Sequence, residues 1–136
     1  MEIDLIKLSS GKKRYIELAR RIASQSTYSS QNHGCVLVKG GSVINISCNK
    51  ENHCRFGSRF RNTRKKGKAT LHAELGAILG LDRSLTQGSI AYVVRVKNDA
   101  LRMSKPCPMW EEALRFCGVK KVVYTTNNDS VIMEKL

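Results

Sequence analysis

The stretch that decides the fold is Ser89-Ile-Ala-Tyr-Val-Val-Arg-Val-Lys97, a polar loop, Pro106-Cys-Pro-Met-Trp110, and then Lys121-Val-Val-Tyr-Thr125. The first and last runs are rich in β-branched residues, which predicts two strands. Between them the pattern predicts a helix that begins near Pro106 and ends at Gly118, where glycine is a stop signal. A helix between two strands predicts a crossover connection, so the two strands are expected to run parallel.

The residues before this unit predict a helix and a hairpin. Apolar residues recur at helical spacing between Lys12 and about Ser26, with charged residues between them, which predicts an amphipathic helix. Two β-branched runs, residues 34–39 and 42–48, are joined by Gly40-Gly41, a pattern typical of a β-hairpin. The sequence therefore predicts an antiparallel pair of strands ahead of the parallel pair.

The remaining segments have weaker hydrophobic patterns. Residues 49–70 have little apolar content and carry seven Arg and Lys side chains between Arg55 and Lys68, which predicts a basic loop. A helix is predicted from about Leu71 to Leu81, and residues 127–136 are expected to add only a short edge element or to fray. The order of helix, hairpin, helix, strand, helix and strand predicts a mixed α/β layer fold.

Length and composition limit the class of protein. The 136 residues, of which 41% are apolar, predict one domain spanning residues 1–136. No run approaches the roughly 20 apolar residues of a membrane helix, and five cysteines at irregular spacing argue against a disulfide framework, so a cytoplasmic protein with no membrane partner is expected. The net charge of +13 favours phosphate-bearing partners, either nucleotides or nucleic acids.

Two short motifs carry the chemistry. His72-Ala-Glu74 stands at the predicted start of one helix, and Pro106-Cys107 opens the next. An imidazole and thiolates bind Zn²⁺ and leave a position for water, whose pKa the metal lowers, while a carboxylate beside it transfers protons. His72 and Cys107 are therefore the candidate metal ligands, and Glu74 is the candidate catalytic residue.

These motifs resemble the zinc-dependent cytidine and deoxycytidylate deaminase superfamily, whose signature is H-x-E followed by P-C-x-x-C. The resemblance runs from about Lys12 to about Thr126 and implies a three-layer α/β fold with a mixed sheet of about five strands flanked by helices. It also implies one Zn²⁺ per chain, a nucleotide substrate and a homo-oligomer.

The resemblance further implies a substrate-binding set. Asn49 would hold a sugar hydroxyl, while the Ala73 backbone and the Lys105 carbonyl would contact the pyrimidine edge. Tyr124 would lie near the base. Apart from the resemblance, Arg102 and Lys105, in the loop before the second site helix, and some of the basic loop are candidates to bind the substrate phosphate because of their charge.

Trp110 departs from the signature, because it stands where the second cysteine ligand is expected and an indole offers zinc no suitable lone pair. Three explanations remain open. A ligand could be borrowed from His53-Cys54, the site could be empty in a nucleotide-binding protein, or tryptophan could replace the cysteine of an active parent. Cys117 is a poor substitute ligand, because it lies seven residues further along the helix, and is expected in the core.

The leading functional hypothesis is hydrolytic deamination of cytosine in a free nucleotide, most of all dCMP to dUMP, impaired in this form by Trp110. A deaminase that acts on a base within single-stranded DNA or RNA is the second hypothesis, with the basic loop as the track for the phosphate backbone. A catalytically weak protein that uses the fold to bind a nucleotide or RNA is the third.

Overall fold

The structure is a computed structural model, and it describes residues 2–24, 32–48, 50–53, 70–71 and 81–136. A 3₁₀ turn, Leu5–Lys7, precedes helix α1, Ser10–Ala23; the other described helices are α2, Arg83–Thr86, and α3, Pro108–Phe116. The strands are β1, Glu2–Asp4; β2, Asn32–Lys39; β3, Ser42–Cys48; β4, Lys50–His53; β5, Thr70–Leu71; β6, Ile90–Lys97; β7, Ala100–Arg102; β8, Lys121–Thr125; and β9, Ser130–Lys135.

Six of these strands form a mixed sheet in the order β1-β9-β8-β6-β2-β3, and β7 pairs with the second half of β6 as a seventh strand. Strands β6 and β8 run parallel, with Ile90 opposite Lys121 and Val93 opposite Tyr124, and α3 is the connection between them. Every other described pair in this sheet is antiparallel. The predicted α/β class and the parallel crossover are confirmed.

Helices cover both faces of the sheet. Neighbouring residues of each strand point to opposite faces, and because both sets are apolar, each face needs a helix to bury it. The apolar side of α1, including Ile16 and Ala19, packs on Val36, Tyr92 and Val123. On the other face, Ala113 and Leu114 of α3 pack on alternate residues of the same strands. The sheet therefore lies between two helical layers, as the family resemblance implied.

Helix α1 lies unusually close to the sheet at Gly34 in β2. A Cβ atom at this position would lie 2.2 Å from the Ala19 carbonyl oxygen and 2.6 Å from the Ala23 nitrogen, both backbone atoms. Only glycine permits this approach without a shift of the helix. The small residues at positions 19, 23 and 34 therefore determine how closely the helical layer packs on the sheet.

Local signals in the sequence locate most of the elements. Gly40 and Gly41 adopt positive φ angles of 59° and 78° and close the predicted hairpin, and Gly118, at φ 84°, follows the end of α3 as predicted. Helix α1 begins two residues earlier and ends three residues earlier than predicted. The Ser9 side chain accepts a hydrogen bond from the Lys12 amide and caps its first turn.

Three expectations need correction. The sheet has seven described strands rather than about five. The chain end does not fray: β9 is a six-residue strand between β8 and β1, because the N-terminal residues supply its second partner. Residues 50–53 and Thr70, in the segment predicted as a loop, form a two-stranded ladder that includes Leu71.

The helix predicted from about Leu71 to Leu81 falls mainly on residues 72–80, outside the described residues. Leu71 itself belongs to β5, and Leu81 is not helical.

Candidate functional site

The described part of the site lies at the carboxyl ends of the parallel strands β6 and β8, where α3 begins. Ligands of open α/β sheets bind in the crevice outside these strand ends. The chain leaves β7 at Arg102, passes through residues 103–106 and enters α3 at Cys107, its N-cap residue. The fold therefore places the Pro-Cys motif at this edge of the sheet.

Ser104 and Thr125 attach the loop before α3 to the sheet through buried hydrogen bonds. The Ser104 hydroxyl lies 2.8 Å from the Val93 carbonyl, to which it donates, and it accepts a hydrogen bond from the Thr125 amide at 2.7 Å. The Ser104 amide in turn donates to the Thr125 carbonyl at 2.9 Å. These bonds join the ends of β6 and β8 to residues 103–107, so they determine where Cys107 stands.

Sequence reasoning did not assign this anchoring role to Ser104 or Thr125. Both were part of the segments on which the family resemblance rested. The detectable signal was a hydroxyl residue two positions before Pro106 and another at the end of a β-branched strand. Hydroxyl residues at such ends can hydrogen-bond to backbone groups that the strands leave without partners.

Cys107 is half-buried and packs against the core between α3 and the sheet. Its backbone is extended, with φ −67° and ψ 161°, and its carbonyl accepts the Glu111 amide at 2.9 Å to start the helix. Cys107 therefore stands at the start of a helix, as predicted, and its role as a metal ligand stays a prediction.

Trp110 occupies the first turn of α3, three residues after Cys107, and only 1% of it is exposed. Its indole lies in the core cluster with Leu37, Val93 and Leu114. The position points inward, as a ligand position should, but the side chain fills that space with an apolar ring. No group of three His, Cys, Asp or Glu side chains in the described residues could hold a metal ion.

The described residues therefore do not fit a zinc ion bound by one imidazole and two thiolates. Of the two signature ligand positions they include, Cys107 supplies a donor and Trp110 does not. His72, Ala73, Glu74 and Asn49 lie outside the described residues, as does Cys54, and of His53 only its place in β4 is described.

Tyr124, Lys105 and Glu134 form a polar cluster on the α3 side of the sheet. The Tyr124 hydroxyl donates a hydrogen bond to Glu134 Oε1 at 2.7 Å, and Lys105 Nζ lies 3.6 Å from the same oxygen. Burial, and then the bond to Glu134, raises the pKa of Tyr124 above its ordinary value. Two residues predicted to bind substrate are thus brought together by Glu134, a residue that sequence reasoning missed.

Arg102, the remaining predicted substrate-binding residue, is half-buried on β7, and its carbonyl accepts a hydrogen bond from the Thr125 hydroxyl at 2.7 Å. Cys117 lies in the core cluster, as predicted. Burial raises the pKa of its thiol, and nearby Arg83 opposes part of that rise.

A cleft of about 370 Å³ lies away from these residues, on the α1 side of the sheet. Its lining is mostly aliphatic and includes Leu5, Ile6, Ile16 and Leu101. It contains none of the predicted site residues, so its volume does not identify the candidate site. Among the described residues, no helix is long and apolar enough to span a membrane.

The fold is shared with solved deaminase structures. The dCMP deaminase from the cyanophage S-TIM5 in its apo form has a TM-score of 0.61 and 21% identity, with 90% of this chain and 88% of that chain covered. The same protein in complex with dCMP and dUMP also has a TM-score of 0.61 and 21% identity, with 86% and 82% covered. At this identity the similarity establishes the fold alone.

A second similarity is to one part of a larger protein. RibD from Acinetobacter baumannii has a TM-score of 0.54 and 25% identity over 85% of this chain, but only 28% of that protein is covered. No curated protein sequence matches the chain.

The family comparison covers most of the sequence. Residues 9–126 match the family described as "Cytidine and deoxycytidylate deaminase zinc-binding region", and this range contains both motifs and Trp110. The chain therefore belongs to the cytidine and deoxycytidylate deaminase family.

Proposed function

We propose that this chain has the fold and substrate site of a nucleotide deaminase that converts cytosine to uracil, with dCMP as its substrate, and that Trp110 impairs its hydrolytic activity. Membership of the deaminase family supports the reaction class. The solved dCMP deaminase in complex with dCMP and dUMP supports the choice of nucleotide. The observation that carries the proposal is the buried indole at position 110, one turn from Cys107.

The chain's own residues would have the following catalytic and substrate-binding roles. Glu74 takes a proton from water and passes protons to the ring nitrogen and the leaving amine. The Ala73 backbone and the Lys105 carbonyl bind the pyrimidine edge, and Asn49 holds the sugar. Tyr124 lies near the base, with its hydroxyl held by Glu134.

The family's zinc, where it is bound, lowers the pKa of its water so that hydroxide is available at neutral pH. Here His72 and Cys107 are the two signature ligands that remain. Two protein ligands fall short of the three that catalytic zinc sites use, so we expect weak metal retention and low turnover.

Replacing Trp110 tests this directly. We expect Trp110→Cys to bind close to one zinc per chain and to deaminate dCMP, while the unaltered chain retains little metal and has little activity. Trp110→Ser is the matched control, because it removes the same ring without supplying a thiolate. Both variants lose a large buried side chain, which costs on the order of 3 kcal/mol in each, so zinc should raise the melting temperature only of the cysteine variant.

Two results would contradict the proposal. Close to one zinc and full turnover in the unaltered chain would show that another residue completes the site. Zinc binding by Trp110→Cys without deamination of any cytosine nucleotide would show that the fold serves binding rather than catalysis.

The net charge of +13 suits the phosphate backbone of a nucleic acid as well as a nucleotide, so cytosine within single-stranded nucleic acid is the second candidate substrate class. Assaying Trp110→Cys on dCMP and on a cytosine oligonucleotide decides between them. Preference for the oligonucleotide, with strong salt dependence, would replace dCMP as the proposed substrate.

A further inference from the structure

Two arginines stand side by side at the carboxyl end of β6. Arg95 and Arg102 are directly opposite each other in the antiparallel ladder of β6 and β7. Val93 packs on the α3 side of the sheet and Leu101 on the α1 side, so alternation along each strand directs both arginines to the α3 side. Side chains opposite each other in such a ladder start from Cβ atoms about 5 Å apart.

Thr125 connects this pair to the loop that enters the candidate site. Its hydroxyl accepts a hydrogen bond from the Arg95 amide at 3.4 Å and donates one to the Arg102 carbonyl at 2.7 Å. The same residue is bonded through its backbone to Ser104, three positions before Cys107. The two arginines are therefore held beside the start of α3.

Among the residues that the structure describes, no carboxylate pairs with these two arginines. Like charges directly opposite in a ladder are destabilising. Neither ion pair between described residues involves Arg95 or Arg102. In the described part of the chain, the Arg95 Nε atom is buried and has no hydrogen-bond partner, which is costly for a donor on a charged group.

We propose that Arg95 and Arg102 bind the phosphate of the cytosine nucleotide, with Arg95 as a specificity-determining residue that separates nucleotide from nucleoside. The proposal rests on the proposed function for the identity of the nucleotide. Guanidinium groups bind phosphate oxygens in a bidentate manner. Two adjacent cations match the charge of a phosphate monoester, close to −2 at neutral pH, better than the single charge of a phosphodiester.

Binding to the unaltered chain tests this without any need for turnover. Calorimetric titrations with dCMP, deoxycytidine, inorganic phosphate and a ten-residue deoxycytidine oligonucleotide are compared at one ionic strength. We expect dCMP to bind roughly tenfold or more tightly than deoxycytidine, since charge-assisted hydrogen bonds to phosphate are strong. Arg95→Gln and Arg102→Gln should each remove most of this difference and leave deoxycytidine binding unchanged.

Lys120→Gln is the matched control, because it removes one exposed cation beside the start of β8, at the other end of the strand. It should not change the preference for dCMP. In phosphate-free buffer, Arg95→Gln should raise the melting temperature rather than lower it, because it removes the repulsion between the two arginines. A loss of binding with a higher melting temperature cannot come from misfolding.

Failure of this proposal can be distinguished from failure of the proposed function. Equal binding of dCMP and deoxycytidine would overturn the phosphate site and leave deamination untouched. Phosphate binding that depends on Arg95, with no affinity for any cytosine ligand, would keep the anion site and overturn the proposed substrate. Equal effects of the arginine variants on dCMP and on the oligonucleotide would overturn the assignment to a monoester.

Discussion

The Ser104 hydroxyl connects β6 and β8 to the loop before Cys107. It is buried, donates a hydrogen bond to the Val93 carbonyl and accepts one from the Thr125 amide. Ser104→Ala would remove the hydrogen bonds that this hydroxyl makes to two buried residues, so we expect it to lower the free energy of unfolding by about 1–3 kcal/mol. Urea denaturation measures the change, and Ser10→Ala, at an exposed position in α1, is the control. Equal stabilities of the two variants would show that the loop does not depend on this hydroxyl.

At the scale of the element, the contact between α1 and β2 is set by Gly34. A methyl group there would meet the backbone of α1 at 2.2 Å, and backbone atoms cannot move aside as a flexible side chain can. We expect Gly34→Ala to lower the free energy of unfolding by about 1–3 kcal/mol or more, as overpacked cores do. Gly11→Ala is the control, because nothing lies within 4 Å of a Cβ at that helical position, and it should stabilise the chain by about 0.4–1 kcal/mol. Destabilisation by both substitutions to the same extent would contradict this account.

At the scale of the whole molecule, stability should fall in alkaline solution. Burial is the main cause that raises the pKa values of Tyr92, Cys117 and Tyr124 above their ordinary values of 10.0, 9.0 and 10.0. Because the folded chain holds these protons more tightly than the unfolded chain, their contribution is complete below the ordinary pKa values and is lost as pH rises through the raised ones. The free energy of unfolding should therefore decline above about pH 9.

Urea denaturation from pH 8 to about pH 11 measures this decline. Tyr124→Phe lacks the buried phenol, so its stability should fall less steeply over the upper part of that range than the stability of the unaltered chain. Identical slopes for the two proteins would show that the Tyr124 hydroxyl does not contribute.

Much of the fold could be predicted from the sequence, because it rests on local patterns. The spacing of apolar residues located α1, the Gly40-Gly41 turn located the hairpin, and Gly118 located the end of α3. The position of Cys107 at the start of a helix was predicted for the same reason. The predicted roles of His72 and Glu74 lie outside the described residues and stay predictions.

The pairings between distant parts of the chain could not be predicted in this way. Residues 130–135 form an internal strand only because residues 2–4 lie beside them. No pattern in either segment predicts this pairing. The bonds of Glu134 to Tyr124 and Lys105 likewise depend on the β8–β9 register.

The sequence by itself determined the fold class, the family and the position of Cys107 at the start of α3, because these depend on residue types at fixed local spacing. Only the tertiary structure decided that Trp110 is sealed in the core and that Arg95 and Arg102 stand side by side. The physical reason is that burial and cross-strand contacts depend on which distant segments pack together, and no local pattern encodes that choice.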